Sequence, residues 1–231
     1  MNNSLDFFSI INSGDKKYSP IYDNFISHLK NVGIENRHEL VEVSGESASF
    51  VEDGFPKIAF EKINLTKEKL ESGKTVFCSD LDIVFLKDPI DYMLSLLNIY
   101  DIVIQRDGVR WEATRNNRPP RLCTGFYMVK PTKLTLELFN TKYDRNDHWI
   151  GKDKTDQGYL NAKFWNNAKH DGIYKDLKVK ILDIDTFPNG SHWYEYSKFI
   201  KDPYIVHYNY KGTVEQKTNA MKKYNHWIER D

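Results

Sequence analysis

Two aspartates, Asp80 and Asp82, interrupt the middle of an apolar run, Thr75-Val-Phe-Cys-Ser-Asp-Leu-Asp-Ile-Val-Phe-Leu86. A run this rich in Val, Ile and Phe, opened by Gly73 and closed by Lys87-Asp88-Pro89, reads as one strand buried on both faces, the pattern of a parallel sheet. Carboxylates oppose such burial, because an unpaired ionised carboxylate costs several kcal/mol there. The pair therefore belongs at the strand's exposed end, met by a cation or by hydrogen-bond donors. In an extended chain Asp80 and Asp82 project to the same side, about 6–7 Å apart at Cα, with Leu81 turned into the protein. That spacing suits one hard divalent cation shared between the carboxylates, or one bound directly and one through water. Capping of the next helix, or a buried Arg or Lys, is the alternative; capping alone leaves the second aspartate unexplained.

The remainder of the chain is consistent with a parallel α/β sheet. Leu5 to Ile11 reads as a strand and Asn12 to Lys17 as a turn. Ser19 reads as an N-cap with Pro20 at the first helical position and Gly33 past the helix end. Glu39 to Val43 is a second strand, so the chain opens as a βαβ-like unit with a right-handed crossover. Ligands of such sheets bind outside the carboxyl ends of the strands, which makes Ile11, Asn12 and Ser13 ligand-contact candidates, or else an ordinary turn. Phe55 to Leu70 reads as a helix with Ile58, Ile63 and Leu70 inward and its lysines mostly outward. Lys57, in its first turn, is poorly placed against the helix dipole and is either a solvated lysine or a phosphate contact.

Pro89 opens a helix through Leu97, and Asp101 to Gln105 is a strand followed by Arg106-Asp107. Gly108 to Arg121 is a long polar stretch with four arginines, suited to a lid or an acceptor-binding segment. Leu122 to Lys130 is a strand, and a Pro-started helix follows over Thr132 to Tyr143. Thr155 reads as an N-cap that sets Asp156 and Gln157 in a first helical turn, where the dipole alone would stabilise an acid. Val179 to Ile184 is a strand, and the aromatic cluster Trp193, Tyr194 and Tyr196 can close a core edge or stack on a sugar. Tyr204 to Gly212 reads as a final strand carrying His207 and Asn209, and Lys217 lies inside an amphipathic terminal helix.

Composition narrows the classes. With 231 residues, 40% of them hydrophobic, one compact domain with a sizeable core is expected. Formal net charge is zero with the signs interspersed, so no global field draws nucleic acid or an anionic membrane. Cys78 and Cys123 sit in apolar strands, which favours reduced core thiols. No stretch reaches the roughly 20 apolar residues of a membrane span, and the acidic-polar start lacks a basic signal-peptide region. A soluble, cytoplasmic protein is expected.

Phe77-Cys-Ser-Asp80-Leu-Asp82-Ile-Val-Phe-Leu-Lys-Asp88-Pro89 resembles the DxD segment of glycosyltransferases with the GT-A fold, in particular the nucleotide-diphospho-sugar transferase group. Three further segments occur in the order that group uses. These are Thr124-Gly125-Phe126, Asp156-Gln157, and His207-x-Asn209-x-x-Gly212 with Lys217. Cys123 departs from the pattern, standing where Asn or Asp is usual. The resemblance implies a single Rossmann-like α/β domain over 1–231, with a nucleotide-binding half about 1–105 and an acceptor and sugar half about 106–231, a mostly parallel central sheet flanked by helices, and transfer of a sugar from a nucleotide-sugar, a UDP-sugar by preference, to an acceptor hydroxyl. It implies metal ligation by Asp80, Asp82 and His207. Together with the strand ends above it implies a donor-binding set of Ile11, Asn12, Ser13, Lys57, Asp80, Leu81, Thr124, Gly125, Asn209, Gly212 and Lys217. Asp156 and Gln157 would stand near the anomeric carbon, and Asp107 or Asp156 would serve as base if the reaction inverts. Two carboxylates with one imidazole suit Mn²⁺ better than Mg²⁺, which is expected to be tolerated.

Three other readings start from the same residues. A haloacid-dehalogenase-type phosphatase also carries Asp-x-Asp after an apolar strand, but near its N-terminus and before a small Gly-Thr turn, where here Ile83-Val-Phe-Leu continues. A sugar-nucleotide pyrophosphorylase would need a Gly-rich, Arg-bearing phosphate loop, which Asn12-Ser-Gly-Asp-Lys-Lys does not supply. A non-catalytic nucleotide-sugar-binding module would keep the pocket without turnover; the four residues Asp80, Asp82, Asp156 and His207 speak for catalysis.

Overall fold

The computed structural model describes residues 4–14, 16–44, 55–109, 120–141, 155–167 and 176–229. Eight strands are found among them: β1 (Leu5–Asn12), β2 (His38–Val43), β3 (Thr75–Ser79), β4 (Ile83–Phe85), β5 (Ile102–Arg106), β6 (Leu122–Val129), β7 (Val179–Ile181) and β8 (Ile205–His207). Six form a central sheet in the order β2-β1-β3-β6-β5-β7, and β4 pairs with β8 in a second, two-stranded sheet. β1 runs parallel to β2 and β3, and β5 to β7; β6 alone is antiparallel to its neighbours. The mostly parallel sheet expected from the sequence is therefore present.

Seven helices flank it among the described residues: α1 (Ser19–Asn31), α2 (Phe55–Glu71), α3 (Ile90–Leu97), α4 (Lys133–Phe139), α5 (Asp156–Asn167), α6 (Gly190–Tyr196) and α7 (Val214–Lys223). The two-residue period of the strands sorts their side chains into two cores. Phe7, Phe77 and Phe126 face the layer that holds α1, α3 and the small sheet. Phe8, Val76 and Tyr127, each one position away, face the layer of α2, α4 and α5. The rings of Phe7 and Phe77 stack across β1 and β3 at 4.2 Å. No described helix is long and apolar enough to cross a membrane.

The run Thr75 to Leu86 is not the single strand its composition suggests. β3 ends at Ser79, residues 80–82 turn, and Ile83–Phe85 enters the other sheet. A straight continuation would carry two carboxylates between apolar layers, which the break avoids. The Asp80 N–H donates to the Gly125 carbonyl at 2.7 Å, and the Asp82 carbonyl accepts from the Tyr208 N–H at 2.8 Å. The aspartates thus occupy the hinge between two sheets. Antiparallel pairing then sets His207 opposite Ile83, one residue from Asp82.

Smaller differences have local causes. Ser19 is not the N-cap; Tyr18 holds that position with helical backbone and no capping side chain, and Pro20 remains in the first turn. The helix expected over residues 132–143 is α4, capped by Thr132, whose hydroxyl accepts from the Thr135 N–H at 3.1 Å. The final strand is confined to Ile205–His207, and Trp193, Tyr194 and Tyr196 lie on α6. Residues 110–119 of the arginine-rich stretch lie outside the described residues.

Candidate functional site

Asp80, Asp82 and His207 each present one ligand atom, and these atoms lie within 4.8 Å of one another. The imidazole is held from behind. His207 Nδ1 stands 2.8 Å from Gln105 Oε1, and the Gln105 amide nitrogen donates to the carbonyls of Phe187 and Pro188 at 3.1 and 3.2 Å. Those two carbonyls fix which end of the amide is oxygen, so His207 Nδ1 carries the hydrogen and Nε2 is left facing the carboxylates. Nε2 lies 3.1 Å from Asp82 Oδ1 and 3.8 Å from Asp80 Oδ2, and is buried without a well-formed hydrogen bond. A buried ring nitrogen aimed between two carboxylates fits a divalent cation, which would take the place of the proton on Nε2, with Gln105 orienting the ligand from behind.

Gly125 explains how the three groups come so close. A Cβ at this position would lie 2.4 Å from His207 Cε1 and 2.6 Å from Asp80 Oδ2. The bare backbone of β6 is therefore the floor on which the cluster sits.

Charges around the cluster are paired. Lys217 Nζ, from α7, is 2.6 Å from Asp82 Oδ2. Burial alone would raise the Asp82 pKa, but Lys217 and His207 outweigh it and hold the carboxyl well below its usual range. Burial would lower His207, yet the adjoining Asp82 carboxylate raises it to about 10. Lys217 is likewise raised against its burial, by Asp82 first and then by Tyr18 from the segment before α1. On the other side Lys62 Nζ, buried on α2, is 2.9 Å from Asp80 Oδ1 and 3.0 Å from Asp156 Oδ2. The first contact is a hydrogen bond; the second is an ion pair off the hydrogen-bond line. These two carboxylates keep Lys62 charged despite the desolvation that would lower its pKa.

Lys62 is an exception to the expectation that the lysines of α2 point mostly outward. Ala59, Phe60, Ile63, Thr66 and Leu70 are buried on this helix. Positions 59, 62, 63, 66 and 70 form one stripe at spacings of three and four, so Lys62 was legible as an inward residue from its position. Asp156 and Gln157 do open a helix, with Thr155 Oγ1 accepting from the Gly158 N–H at 3.1 Å. The Gln157 amide nitrogen donates to Asp107 Oδ2 at 3.1 Å and its oxygen accepts from the Thr124 N–H at 3.3 Å.

Other expected site residues fall around this centre. Leu81 is buried between the two aspartates. Ile11, Asn12 and Ser13 lie at the carboxyl end of β1, the end its parallel pairing with β3 shares with Asp80. There the Ser13 N–H donates to the Val43 carbonyl and Asn12 Oδ1 accepts from the Gly14 N–H. The side chain of Asn209 is committed to the protein, accepting from the Gly190 N–H at 2.7 Å and donating to Cys123 Sγ at 3.7 Å. Cys123, which replaces the usual Asn or Asp, also touches His207 Nδ1 at 3.6 Å. Gly212 precedes α7 and has room for a Cβ, the nearest atom being Gln216 Oε1 at 3.8 Å. Lys57 lies in the first turn of α2, and its side chain is outside the described residues.

Comparison with known proteins bears on the family and the fold. A family model described as nucleotide-diphospho-sugar transferase matches residues 22–221. The UDP-galactose:fucoside alpha-3-galactosyltransferase of Dictyostelium discoideum is 22% identical over 237 residues, covering 96% of this chain and 34% of that protein. The UDP-D-xylose:L-fucose alpha-1,3-D-xylosyltransferase 3 of Arabidopsis thaliana is 24% identical over 178 residues, covering 69% of this chain and 44% of its own. The chain thus spans about a third to a half of the length of the curated relatives it matches. Among solved structures, a glycosyltransferase involved in glycosylation of the major capsid of PBCV-1 superposes with a TM-score of 0.58 at 13% identity, covering 95% of this chain and 99% of that one. The galactosyltransferase LgtC, solved with donor and acceptor sugar analogues, gives 0.58 at 8% identity, covering 98% and 97%. These likenesses show a GT-A fold.

Proposed function

The chain belongs to the nucleotide-diphospho-sugar transferase family, and on that premise we propose that it is a metal-dependent glycosyltransferase, moving a sugar from a UDP-sugar to an acceptor hydroxyl. The observation that carries this reading is the convergence of Asp80, Asp82 and His207 over Gly125. A divalent cation held by these three residues would supply neutralisation of the diphosphate as it leaves the sugar. Mn²⁺ is the preferred ion, since imidazole is softer than the oxygen ligands Mg²⁺ favours, and Mg²⁺ is tolerated.

The protein's own groups divide the remaining work. Lys217, beside Asp82, adds a second cation against the charge that develops on the leaving phosphate. Lys62 ties Asp80 to Asp156 and so sets the distance between the donor's phosphate end and its sugar end. Ile11, Asn12 and Ser13 at the β1 end contact the nucleoside, and Asp156 with Gln157 borders the anomeric centre. The relatives' names supply the substrate class: a galactose or xylose donor and a fucose-bearing acceptor. Both names specify alpha linkages, which from an alpha-linked UDP donor means retention of configuration. Asp107 and Asp156 are then not needed as inverting bases, and both oxygens of Asp107 are already engaged by protein donors.

The test is transfer itself. Purified protein with Mn²⁺, UDP-galactose or UDP-xylose, and a synthetic fucoside should release UDP and give a product heavier by one hexose or one pentose, alpha-linked by NMR. A beta-linked product would refute retention. No UDP release from any UDP-sugar, with a protein shown to be folded, would refute the transferase reading.

A further inference from the structure

Asp107, just past the end of β5, is buried, and each of its carboxylate oxygens accepts a hydrogen bond. Oδ1 accepts from the Tyr210 hydroxyl at 2.6 Å, and Oδ2 from the Gln157 amide at 3.1 Å, with Arg121 Nε at 3.7 Å. The far end of the same amide accepts from the Thr124 N–H at 3.3 Å. A carboxylate only accepts and a backbone N–H only donates, so the amide of Gln157 has a single allowed orientation. Reversing it would set oxygen against oxygen at Asp107 and hydrogen against hydrogen at Thr124.

Tyr210 is an unexpected member of this network. Its φ of 63° lies in the left-handed region that side chains rarely occupy, and the residue is 55% exposed. Strained backbone and an exposed ring contribute little to a core. The hydroxyl, by contrast, is fully used: it donates to Asp107 and accepts from the Gly108 N–H at 3.2 Å. The loop between β8 and α7 therefore reaches across to the end of β5 to hold one carboxylate.

We propose that Tyr210 is a positioning residue, which through Asp107 locks the Gln157 amide against Thr124, next to the Gly125 floor of the metal cluster. The claim deepens the transferase reading and rests on it for its kinetic half. In the reaction, Tyr210 touches no reacting atom; it keeps the Gln157 carbonyl oxygen turned toward the strand that carries Thr124 and Gly125, so that the sugar meets one fixed face of the side chain.

Tyr210→Phe removes only the hydroxyl from an exposed ring, and folding is checked by an unchanged Tm. The first readout is the ¹⁵N–¹H signal of the Gln157 side-chain amide, assigned by its loss in Gln157→Met. In the wild type it should be displaced from solvent-exposed glutamines, and in Tyr210→Phe it should shift or broaden. A Gln157 signal that ignores the substitution overturns the proposal whatever the enzyme's activity. The second readout is UDP release from UDP-galactose and UDP-xylose with Mn²⁺: kcat should fall roughly tenfold or more with the donor KM within about twofold. A change confined to KM also overturns it. If the wild type turns over no donor while the Gln157 signal still depends on Tyr210, the transferase reading fails and the positioning claim for that reaction falls with it.

Discussion

Gly125→Ala is the substitution whose consequences the geometry fixes most tightly. An ordinary van der Waals contact begins at 3.4 Å, whereas the new methyl would lie 2.4 Å from His207 Cε1 and 2.6 Å from Asp80 Oδ2. One or both groups must therefore retreat by about 1 Å, while metal–ligand distances tolerate only about 0.2 Å. Neither group can retreat freely. His207 is anchored through Nδ1 on Gln105 and through its backbone N–H on the Pro188 carbonyl, and Asp80 is anchored on Lys62 and, through its N–H, on Gly125 itself. Overpacking of this kind costs about 1–3 kcal/mol, which for a chain of this size lowers Tm by about 2–4 °C per kcal/mol. Metal affinity should fall much further than stability, by at least the 10- to 100-fold that disturbing a ligand's support commonly costs. The assay is a Mn²⁺ titration followed by the EPR signal of the free ion, with and without UDP, beside a calorimetric melt. A folded Gly125→Ala protein that binds Mn²⁺ as tightly as the wild type would refute the placement of the cluster over Gly125.

Lys62→Met should strand the buried Asp156 carboxylate without its cation, costing about 3–5 kcal/mol and a Tm fall on the order of 10 °C. Lys62→Met with Asp156→Leu should recover most of that loss, and an unchanged melt in the single variant would contradict the buried Lys62–Asp156 pair. Stability should also fall in mild acid. Burial lowers His38 to about 4 with Glu39 opposing, and lowers His226 to about 4 with His28 adding to the effect. Both folded values are depressed below the unfolded 6.5, so between pH 6.5 and 4 the unfolded chain takes up protons the folded chain refuses, and Tm drops across that window as pH falls. A flat Tm there would sink the assignment of two neutral, half-buried imidazoles. Metal binding should release a proton at neutral pH, because the metal-free imidazole of His207 is held protonated by Asp82 and a metal needs it neutral. Calorimetry of Mn²⁺ binding in buffers of different ionisation enthalpy would show this as a buffer-dependent heat, and identical heats would contradict it.

What could be read in the sequence was mainly what chain order encodes. The strand, turn and Pro-started helix at the beginning, the paired aspartates after an apolar strand, and Asp156-Gln157 at a helix start were all visible locally. They are visible because caps, turns and alternation are local effects. What could not be read depended on which sheet a segment joins. Cys78 and Val84 are equally apolar, and nothing in the run says that the chain changes sheets between them; only the pairing of Ile83 with His207 reveals it. Lys62 escaped for a different reason: a lysine is buried only where carboxylates meet it, and its partners Asp80 and Asp156 come from distant segments. Tyr210 escaped because neither its left-handed backbone nor its reach to Asp107, 103 residues away in sequence, leaves a local signal. Gly125 was expected as a donor contact from the Thr124-Gly125-Phe126 segment, and the groups that crowd its Cα are His207 and Asp80 from two other elements.

The most direct measurement is calorimetric binding of UDP in the presence and absence of Mn²⁺, to the wild type and to Asp82→Asn. Asp82 joins His207 and Lys217 at one carboxylate, so its amide variant weakens the metal site at its centre. Expected is UDP binding that requires Mn²⁺ in the wild type and is lost or severely weakened in Asp82→Asn. UDP binding of equal strength with and without the metal, and unaffected by Asp82→Asn, would contradict a metal-held nucleotide diphosphate at this site.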